Sequence, residues 1–302
     1  MHEIIRFYTE STQHKSENTR LHATEVITRI LTSFADDYGV QITNEVITGL
    51  TPVILQKWYN EAAKTRKVST MNNYVCMLNP FLRWCFEMEF IDRDLSSKLG
   101  VHRLPDPETI PPEERPKDKY LSHGEAFALL HCTGRNYLRD RAIIALFLYS
   151  GLRVSELCSL NLGDVLGNAQ GTIIVRRKGG HYKPVEVSPE FYPVLEEYLK
   201  TRTDLDDLTR PLFLTTHGER VNRKQIHKFL SHKQRKLGVA TGPHALRHTF
   251  LSETEKIGGA AIARDLANQK SFSVTNRYVH TTVQQRRDTV RRLRWEVLDD
   301  EH

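Results

Sequence analysis

The sequence predicts an α+β protein with an all-helical first domain and a mostly helical second domain that contains a small antiparallel sheet. Apolar residues recur at helical spacing in both halves of the chain. A single β-branched segment, residues 171–188, is centred on Gly179-Gly180, a pattern that is typical of a β-hairpin. Helices around one hairpin therefore define the expected second domain.

A proline-rich segment predicts the boundary between the two domains. Five prolines fall between residues 105 and 116, a density that interrupts helices and favours an extended spacer. The 302 residues are enough for two hydrophobic cores. We therefore predict domains at 1–104 and 121–302, joined by a linker at 105–120.

Three segments of the first domain have the sequence signals of helices. Thr51-Pro52 is an N-cap followed by a first-turn proline. The apolar and aromatic segment 69–90 contains Pro80, where we expect a kink or a break. A further helix is predicted by an apolar stripe, which consists of Leu21, Ile27, Ile30, Leu31, Phe34 and Tyr38.

The second domain is predicted to begin with two helices. Ser122 and Glu125 have the spacing of a capping box. The next helix, 139–149, includes the apolar run 142–149, too short to cross a membrane and suited to a buried core, and it ends at Ser150-Gly151. After the hairpin, helices are predicted at 190–202, at 222–237 and onward to the C-terminus.

Composition indicates a cytoplasmic protein with a polyanionic partner. The first ten residues include acids and lack a long apolar stretch, unlike a secretory signal. The net charge is +6; residues 1–110 contain 12 Lys and Arg against 14 Asp and Glu, whereas residues 111–302 contain 31 against 23. The positive charge of the second domain favours nucleic acid as the partner.

The cysteines indicate neither structural zinc nor a disulfide framework. They are widely spaced, with no C-x-x-C pair, and we expect reduced thiols in apolar surroundings. The four are Cys76, Cys85, Cys132 and Cys158.

Four motifs follow one another in the second domain: GLRVSEL at 151–157, Lys178 at the hairpin turn, HALRH at 244–248, and Tyr278 within RYVH. Their order and spacing resemble the catalytic domain of the tyrosine recombinases, the phage integrase family, and most closely its Xer-like and transposon-resolving members. The segment 79–94 also resembles the end of that family's core-binding domain. The resemblance implies a helical DNA-binding core-binding domain at 1–104 and a catalytic domain at 121–302.

The residue types suit attack on a DNA phosphodiester without a metal or another cofactor. Negative charge gathers on the nonbridging oxygens, and the planar guanidinium groups of Arg153 and Arg247 can each pair with two of them. Tyr278 would be the nucleophile that forms a phosphotyrosyl bond. His244 lies one helical turn from Arg247 and is the candidate for acid–base help. Lys178 resembles the family's general acid, with Arg177 and Lys183 as alternatives.

One position departs from the family pattern. Nine residues before Tyr278, where the family usually has His or Trp, this chain has Gln269, or Asn268 if one residue is inserted. An amide can donate a hydrogen bond to a phosphate oxygen but cannot act as a base, so His244 would take a larger share of proton handling.

Some of these residues also have structural interpretations. Arg153 could pair with Glu156 or Asp140, and we interpret Glu156 as a residue that orients Arg153 or its helix. His244 and His248 have the spacing of a zinc pair, but an arginine lies between them and the glutamate of a hydrolytic zinc site is missing. We expect His248 to orient or pack the site.

Two further segments suggest contacts with DNA and with other subunits. Residues 220–236 contain seven Lys and Arg and no acid, with Ile226, Phe229 and Leu230 giving a buried side. The predicted phosphate contacts are Arg220, Arg223, Lys224 and Lys228. The terminal segment 283–298 either packs on its own domain or, as the family resemblance favours, docks in a neighbouring subunit through a stripe of Val283, Val290, Leu293 and Val297.

The resemblance implies a site-specific recombinase that acts on a double-stranded DNA core site. Two subunits would bind each site and four would form the synapse, with strand exchange through 3′ phosphotyrosyl intermediates and a Holliday junction. Two alternatives remain: a type IB topoisomerase or telomere resolvase with the same chemistry, and a DNA-binding regulator that has lost catalysis.

Overall fold

The computed structural model describes residues 3–37, 44–100, 120–131, 133–134, 136–168, 171–176, 180–239, 242–267 and 281–295. The chain divides into two compact units, Met1–Arg115 and Pro116–His302, which we call the first and second units. Apart from Tyr120, the predicted linker lies outside the described residues. Among the helices in the described ranges, none is both long and apolar enough to cross a membrane.

The first unit is helical throughout its described residues. Its helices are α1 (Glu3–Ser11), α2 (Glu17–Asp37), α3 (Asn44–Thr48), α4 (Pro52–Thr65) and α5 (Val68–Glu87). The cap at Thr51 is confirmed, because its side chain accepts a hydrogen bond from the Ile54 amide at 3.3 Å. Helices α2 and α5 make the main contact of this unit.

Two details of the first unit differ from the prediction. Helix α5 runs unbroken through Pro80, whose neighbours Phe81 and Leu82 are fully buried; packing therefore offsets the lost hydrogen bond. Leu21 is 57% exposed, although Ile27 and Phe34 of the same predicted stripe are buried. At about 100° per residue, Leu21 lies about 120° around the helix from Ile27, away from the core.

The second unit wraps helices around a long buried helix and one hairpin. Its elements are α6 (His123–Leu130), α7 (Tyr137–Ser150), α8 (Val154–Ser159), α9 (Gly163–Leu166), β1 (Thr172–Arg176), β2 (Tyr182–Glu186), α10 (Phe191–Leu199), α11 (Arg223–Leu237), α12 (Pro243–Gly258), α13 (Ala260–Ala267) and α14 (Val283–Arg291). The α+β prediction is confirmed.

Helix α7 is the centre of the second unit. Every residue from Ala142 to Ser150 is buried, and α6, α10 and α12 pack around it. The capping box that starts α6 is confirmed, since the Ser122 hydroxyl and the Glu125 carboxylate each accept from the other residue's backbone amide. The Leu121 amide donates to the hydroxyl of buried Thr249 at 2.8 Å, which ties the start of the described second unit to α12.

The predicted hairpin is confirmed as the antiparallel pair β1 and β2. Ile174 lies opposite Pro184, and Arg176 lies opposite Tyr182 at the end towards the turn. Lys178 belongs to this turn in the sequence and lies outside the described residues.

The described cysteines only partly fit the expectation of apolar surroundings. Burial raises the pKa of Cys85 to about 12 and that of Cys158 to about 11, so both thiols stay protonated at neutral pH. Cys76 is exposed, which contradicts the expectation for this residue, because it lies on the solvent side of α5.

Candidate functional site

The site is built on the sharp turn that ends α7. Gly151 caps the helix in the left-handed conformation, with φ of 61°. A Cβ atom at this position would lie 2.2 Å from Cδ1 of Phe250, so the glycine also allows α12 to approach the turn closely. The end of α7 and the face of α12 that carries Arg247 and Phe250 are therefore held together.

Arg153, two residues after this glycine, is the N-cap of α8. Its backbone amide donates to Oε2 of Glu156 at 2.8 Å, and its Nη1 donates to Oε1 of the same carboxylate at 3.0 Å. The Glu156 side chain is 7% exposed and that of Arg153 is 43% exposed. A buried acid thus orients an arginine that still reaches solvent. Asp140, the other partner considered, pairs with Arg139 instead, at 2.7 Å.

Arg247 connects the two chain segments that flank the site. From α12, its Nη1 donates to the carbonyl oxygen of Gly151, and its Nη2 donates to that of Ala267 at 2.7 Å. Gly151 is two residues before Arg153, and Ala267 is the last residue of α13. The structure therefore brings Arg247 to the turn that carries Arg153.

His244 lies in the first turn of α12, after Pro243, and is exposed one turn before Arg247. His248 is also exposed, on the following turn. The packing role expected for His248 does not fit this exposure. Within the described ranges, no three His, Cys, Asp or Glu side chains come together as a metal site would require.

The remaining predicted catalytic residues are not all covered by the structure. Lys178 and its alternative Arg177 lie outside the described residues, as do Gln269, Asn268 and Tyr278. Lys183, the other alternative, is exposed on β2 opposite Val175.

The basic run forms α11 with one buried and one exposed side. Ile226 and Leu230 are buried, and Arg223, Lys224 and Lys228 are exposed. Arg220, which precedes the helix, has a structural engagement that the sequence did not predict. Its guanidinium donates to the carbonyls of Cys158 and Leu160 and to the Asn161 side chain, at 3.1, 2.9 and 2.6 Å respectively.

Lys233 also differs from the solvent-exposed cations of α11. It is 5% exposed, and its ammonium donates to the carbonyl oxygen of Thr133 at 3.2 Å. This lysine ties α11 to the segment before α7 instead of extending the exposed cations.

The terminal helix packs on its own domain in this structure of one chain. Val290 and Leu293 are buried in the core of the second unit, as is Trp295, whereas Val283 is 49% exposed. Val297 lies outside the described residues. Residues 283–295 thus pack on their own domain, which was the first of the two alternatives given for this segment.

Sequence reasoning missed three residues that flank the segment 268–280: Asp265, Thr281 and Arg286. Asp265 accepts hydrogen bonds from Thr281, whose carbonyl accepts from Arg286. No sequence signal marks them, because each contact joins residues 5 to 16 positions apart across different elements.

Comparison with known proteins identifies the family. The family model described as "Phage integrase family" matches residues 119–285, more than half of the chain. Tyrosine recombinase XerC of Thermodesulfovibrio yellowstonii is 30% identical over 244 residues, which cover 76% of this chain and 77% of the relative. Tyrosine recombinase XerC of Pelobacter propionicus is 26% identical over 286 residues, which cover 92% and 90%.

Solved structures share the fold. A lambda integrase dimer bound to a COC′ core site aligns with a TM-score of 0.66 at 14% identity, covering 89% of this chain and 94% of that one. The Tn1549 transposon integrase in complex with circular intermediate DNA aligns with a TM-score of 0.61 at 20% identity, covering 95% and 99%. The chain belongs to the phage integrase family, and with it to the site-specific tyrosine recombinases.

Proposed function

We propose that this recombinase exchanges strands of double-stranded DNA through a 3′ phosphotyrosyl intermediate on Tyr278 and a Holliday junction. One observation carries the proposal: the guanidinium of Arg247 binds both the turn that leads to Arg153 and the carbonyl of Ala267. Ala267 immediately precedes the segment 268–280, which contains Tyr278. The segment that contains Tyr278 therefore begins next to a residue that Arg247 binds, and Arg247 also binds the turn that carries Arg153.

The two arginines would bind the scissile phosphate. Their guanidinium groups stay charged at any working pH, and a fork of N–H donors matches the oxygens of a phosphoryl group. Arg153 is 43% exposed with Glu156 on one side of its guanidinium, so it can hold its orientation and still meet DNA. Fixed donors of this kind stabilise the charge that develops in the transition state.

Proton transfers would fall to residues on either side of the phosphate. With an ordinary pKa of about 10, roughly one tyrosine in a thousand is ionised at neutral pH, a deficit of about 4 kcal/mol. His244, exposed one turn from Arg247, would help to remove the Tyr278 proton. Lys178, or Arg177 or Lys183, would protonate the leaving 5′ oxygen, and Gln269 or Asn268 would donate a hydrogen bond to the phosphate.

The overall reaction would conserve phosphodiester bonds. The Tyr278 oxygen bonds to phosphorus while the bond to the 5′ oxygen breaks, and that oxygen takes a proton. In the second step the 5′ hydroxyl of the partner duplex attacks the phosphotyrosine and releases the tyrosine. Because one ester replaces another at each step, neither ATP nor a metal is part of the scheme.

Duplex DNA would contact both units. The lambda integrase dimer and the Tn1549 transposon integrase, which share the fold, were both solved on DNA. In the second unit, the exposed cations of α11 would follow the phosphates. In the first unit, α2 and α5 share a polar face, where Asn73 donates to His22 at 3.2 Å and Arg29 donates to the Tyr74 hydroxyl at 3.5 Å.

Strand exchange between two core sites would require two subunits on each site and four in the synapse. Since Val290, Leu293 and Trp295 are buried in their own unit, exchange of a terminal segment between subunits would be confined to residues beyond 295. The expected assembly is therefore one in which α14 stays with its own chain.

The decisive experiment is a covalent trapping assay. A core site is first selected from a randomised duplex pool by binding, and a nick is then placed near the cleavage point so that the cut strand dissociates. We expect a covalent protein–DNA adduct with the wild type and none with Tyr278→Phe at equal DNA binding. Tyr137→Phe is the matched control, since Tyr137 is 45% exposed at the start of α7; it should form the adduct normally.

Other outcomes of this assay would point to the alternatives. An adduct that persists in Tyr278→Phe would overturn the assignment of the nucleophile. Absence of any adduct at a tightly bound site would favour a regulator, and relaxation of supercoiled plasmid without a specific site would favour a topoisomerase.

A separate measurement tests the DNA face of α11. Lys224→Ala and Lys228→Ala should each reduce the slope of log K against log salt by about 1, since each removes one phosphate contact. Lys256→Ala is the control, because its ammonium already pairs with Glu253 at 3.2 Å. An unchanged slope in both α11 variants would remove this face from the proposal.

A further inference from the structure

Two charged side chains bind Thr281, the first described residue after the segment 268–280. Oδ2 of Asp265 accepts from the Thr281 amide at 3.1 Å and from its hydroxyl at 2.5 Å. Nη1 of Arg286 donates to the Thr281 carbonyl at 2.9 Å. Asp265 thus binds the amide and the hydroxyl of Thr281, and Arg286 binds its carbonyl.

A further side chain, Glu186, connects this anchor to the sheet through Arg286. Nε of Arg286 pairs with Oε1 of Glu186, the last residue of β2, at 3.2 Å. The Arg286 and Glu186 side chains are 21% and 13% exposed. Next to them, Nη2 of Arg287 donates to the Thr172 hydroxyl at 3.3 Å. We call Asp265, Arg286 and Glu186 the Thr281 clamp.

The charge of Asp265 suits this role. Burial alone would raise its pKa, but the two hydrogen bonds from Thr281 and the nearby Arg264 and Arg286 outweigh burial and lower it. Asp265 is therefore an ionised acceptor at neutral pH, and charge-assisted hydrogen bonds of this kind are the stronger ones.

The clamp lies at the far end of the segment whose near end Arg247 holds. Arg247 binds the carbonyl of Ala267, just before the segment, and the clamp binds Thr281, just after it. Tyr278 is three residues before Thr281. Since consecutive Cα atoms are about 3.8 Å apart, three residues of chain keep Tyr278 within about 11 Å of the anchored Thr281.

We propose that Asp265, Arg286 and Glu186 are positioning residues that fix the C-terminal end of the nucleophile segment with respect to the arginine site. The inference rests on the proposed function, in which Tyr278 attacks the phosphate. In-line attack depends on near-contact alignment of the reacting atoms, and misplacement by about 1 Å can reduce the rate by about 10²-fold. The clamp would act on the cleavage rate and not on affinity for DNA.

The first test compares two acids that have the same local role. Asp164 also accepts a backbone amide, that of Asn161, at 2.8 Å, but it is remote in sequence from the nucleophile segment. We expect Asp265→Ala to slow single-turnover adduct formation by about 10- to 100-fold with an unchanged Kd for DNA. Asp164→Ala should lower thermal stability comparably and leave the adduct rate within threefold of the wild type.

The second test separates delivery of the nucleophile from protonation of the leaving group. A substrate with sulfur in place of the bridging 5′ oxygen releases a thiolate, which needs no proton. Because Glu186 lies on the strand that follows the Lys178 turn, an effect on the general acid is the competing explanation for a defect in Glu186→Gln. The clamp predicts that the defects of Asp265→Ala and Glu186→Gln persist on the sulfur substrate.

The outcomes distinguish this inference from the proposed function. An adduct rate of Asp265→Ala equal to that of the wild type, or rescue of both clamp variants by sulfur, would overturn the clamp while leaving Tyr278 as nucleophile. An adduct in Tyr278→Phe would instead remove the proposed function. Should Asp265→Ala unfold, Thr281→Val, which removes only the hydroxyl donor, gives the same test and should slow cleavage by a smaller factor.

Discussion

Arginines serve different purposes in the two units of this protein. Among the described residues of the first unit, ion pairs join side chains three or four positions apart on one helix, as in Arg29–Glu25 and Arg83–Glu87, and both partners are more than half exposed. In the second unit, arginines reach backbone carbonyls far away in the sequence. Arg139, Arg220 and Arg247 bind carbonyls 75, 62 and 96 residues distant.

This difference shows how the second unit gives irregular segments a fixed position. A carbonyl in a loop has no partner in a helix or sheet, and a guanidinium with several donors can satisfy more than one of them. The first unit instead relies on aromatic packing, such as Tyr8 against Phe81 at 5.3 Å between ring centroids. Positive charge in the second unit is therefore partly structural, and net charge overstates how much of it faces DNA.

The largest effect on the rate of adduct formation is expected at Arg247 of the second unit. Arg247→Ala should reduce the adduct rate by about 10²- to 10³-fold, because it removes a phosphate donor together with the ties to Gly151 and Ala267. The adduct rate of Arg247→Lys should fall nearly as far, since one ammonium cannot replace the paired N–H donors of a guanidinium. Single-turnover trapping on the nicked site measures both. A rate for Arg247→Ala within threefold of the wild type would contradict the comparison.

A stability contrast is expected between Gly151 and Gly238. Both have positive φ, at 61° and 70°, but only a Cβ at Gly151 would collide with Phe250; around Gly238 the space is open. Gly151→Ala should lower the free energy of unfolding by about 2–4 kcal/mol, from backbone strain plus overpacking. Gly238→Ala should cost about 1–2 kcal/mol, from backbone strain alone. Urea unfolding of both variants measures the two losses, and equal losses would contradict the contribution assigned to Phe250.

A pH dependence is expected from Asp204 in the second unit. Hydrogen bonds from Arg202 and then Arg210 lower the pKa of Asp204 below its usual range. A lowered pKa in the folded state adds stability above the ordinary value near 4, and this contribution is lost as the pH falls further. Asp204→Asn should therefore destabilise the protein by about 1–2 kcal/mol at pH 7 and by progressively less below pH 4. Urea unfolding at pH 7 and pH 3 measures the difference, and a constant difference would contradict it.

The smallest effect is expected in the first unit. Arg83 and Glu87 form an exposed pair at 3.0 Å. Arg83→Ala should change the free energy of unfolding by less than about 0.5 kcal/mol, and less again in 1 M salt. A loss above 1.5 kcal/mol in urea titration would show that the surface pairs of the first unit have a larger structural role than we assign to them.

Local signals were the most reliable part of the sequence. The cap at Thr51, the capping box of Ser122 and Glu125, and the glycine stop at Gly151 were all predicted, because each depends on residues within one helical turn. Leu21 was wrongly predicted to be buried, because successive three-residue steps move a stripe around the helix. Pro80 did not break α5, because its neighbouring side chains are buried.

Contacts between remote elements were beyond such signals. Nothing in the run 220–236 distinguishes Arg220, which binds carbonyls, or buried Lys233 from the exposed cations Lys224 and Lys228. Likewise, Asp265 has no neighbour in the sequence that points to Thr281. A side chain's partner in these cases is set by which helices pack together.

By itself, the sequence determined the longer helices, the hairpin and the motifs that identify the family, since spacing and residue type fix these within a few turns of chain. Only the tertiary structure decided which cations face solvent, where the guanidinium of Arg247 binds, and how Thr281 is anchored. The physical reason is that a charged side chain pairs with whichever group folding brings within about 3 Å, and that group is here up to 96 residues away in the sequence.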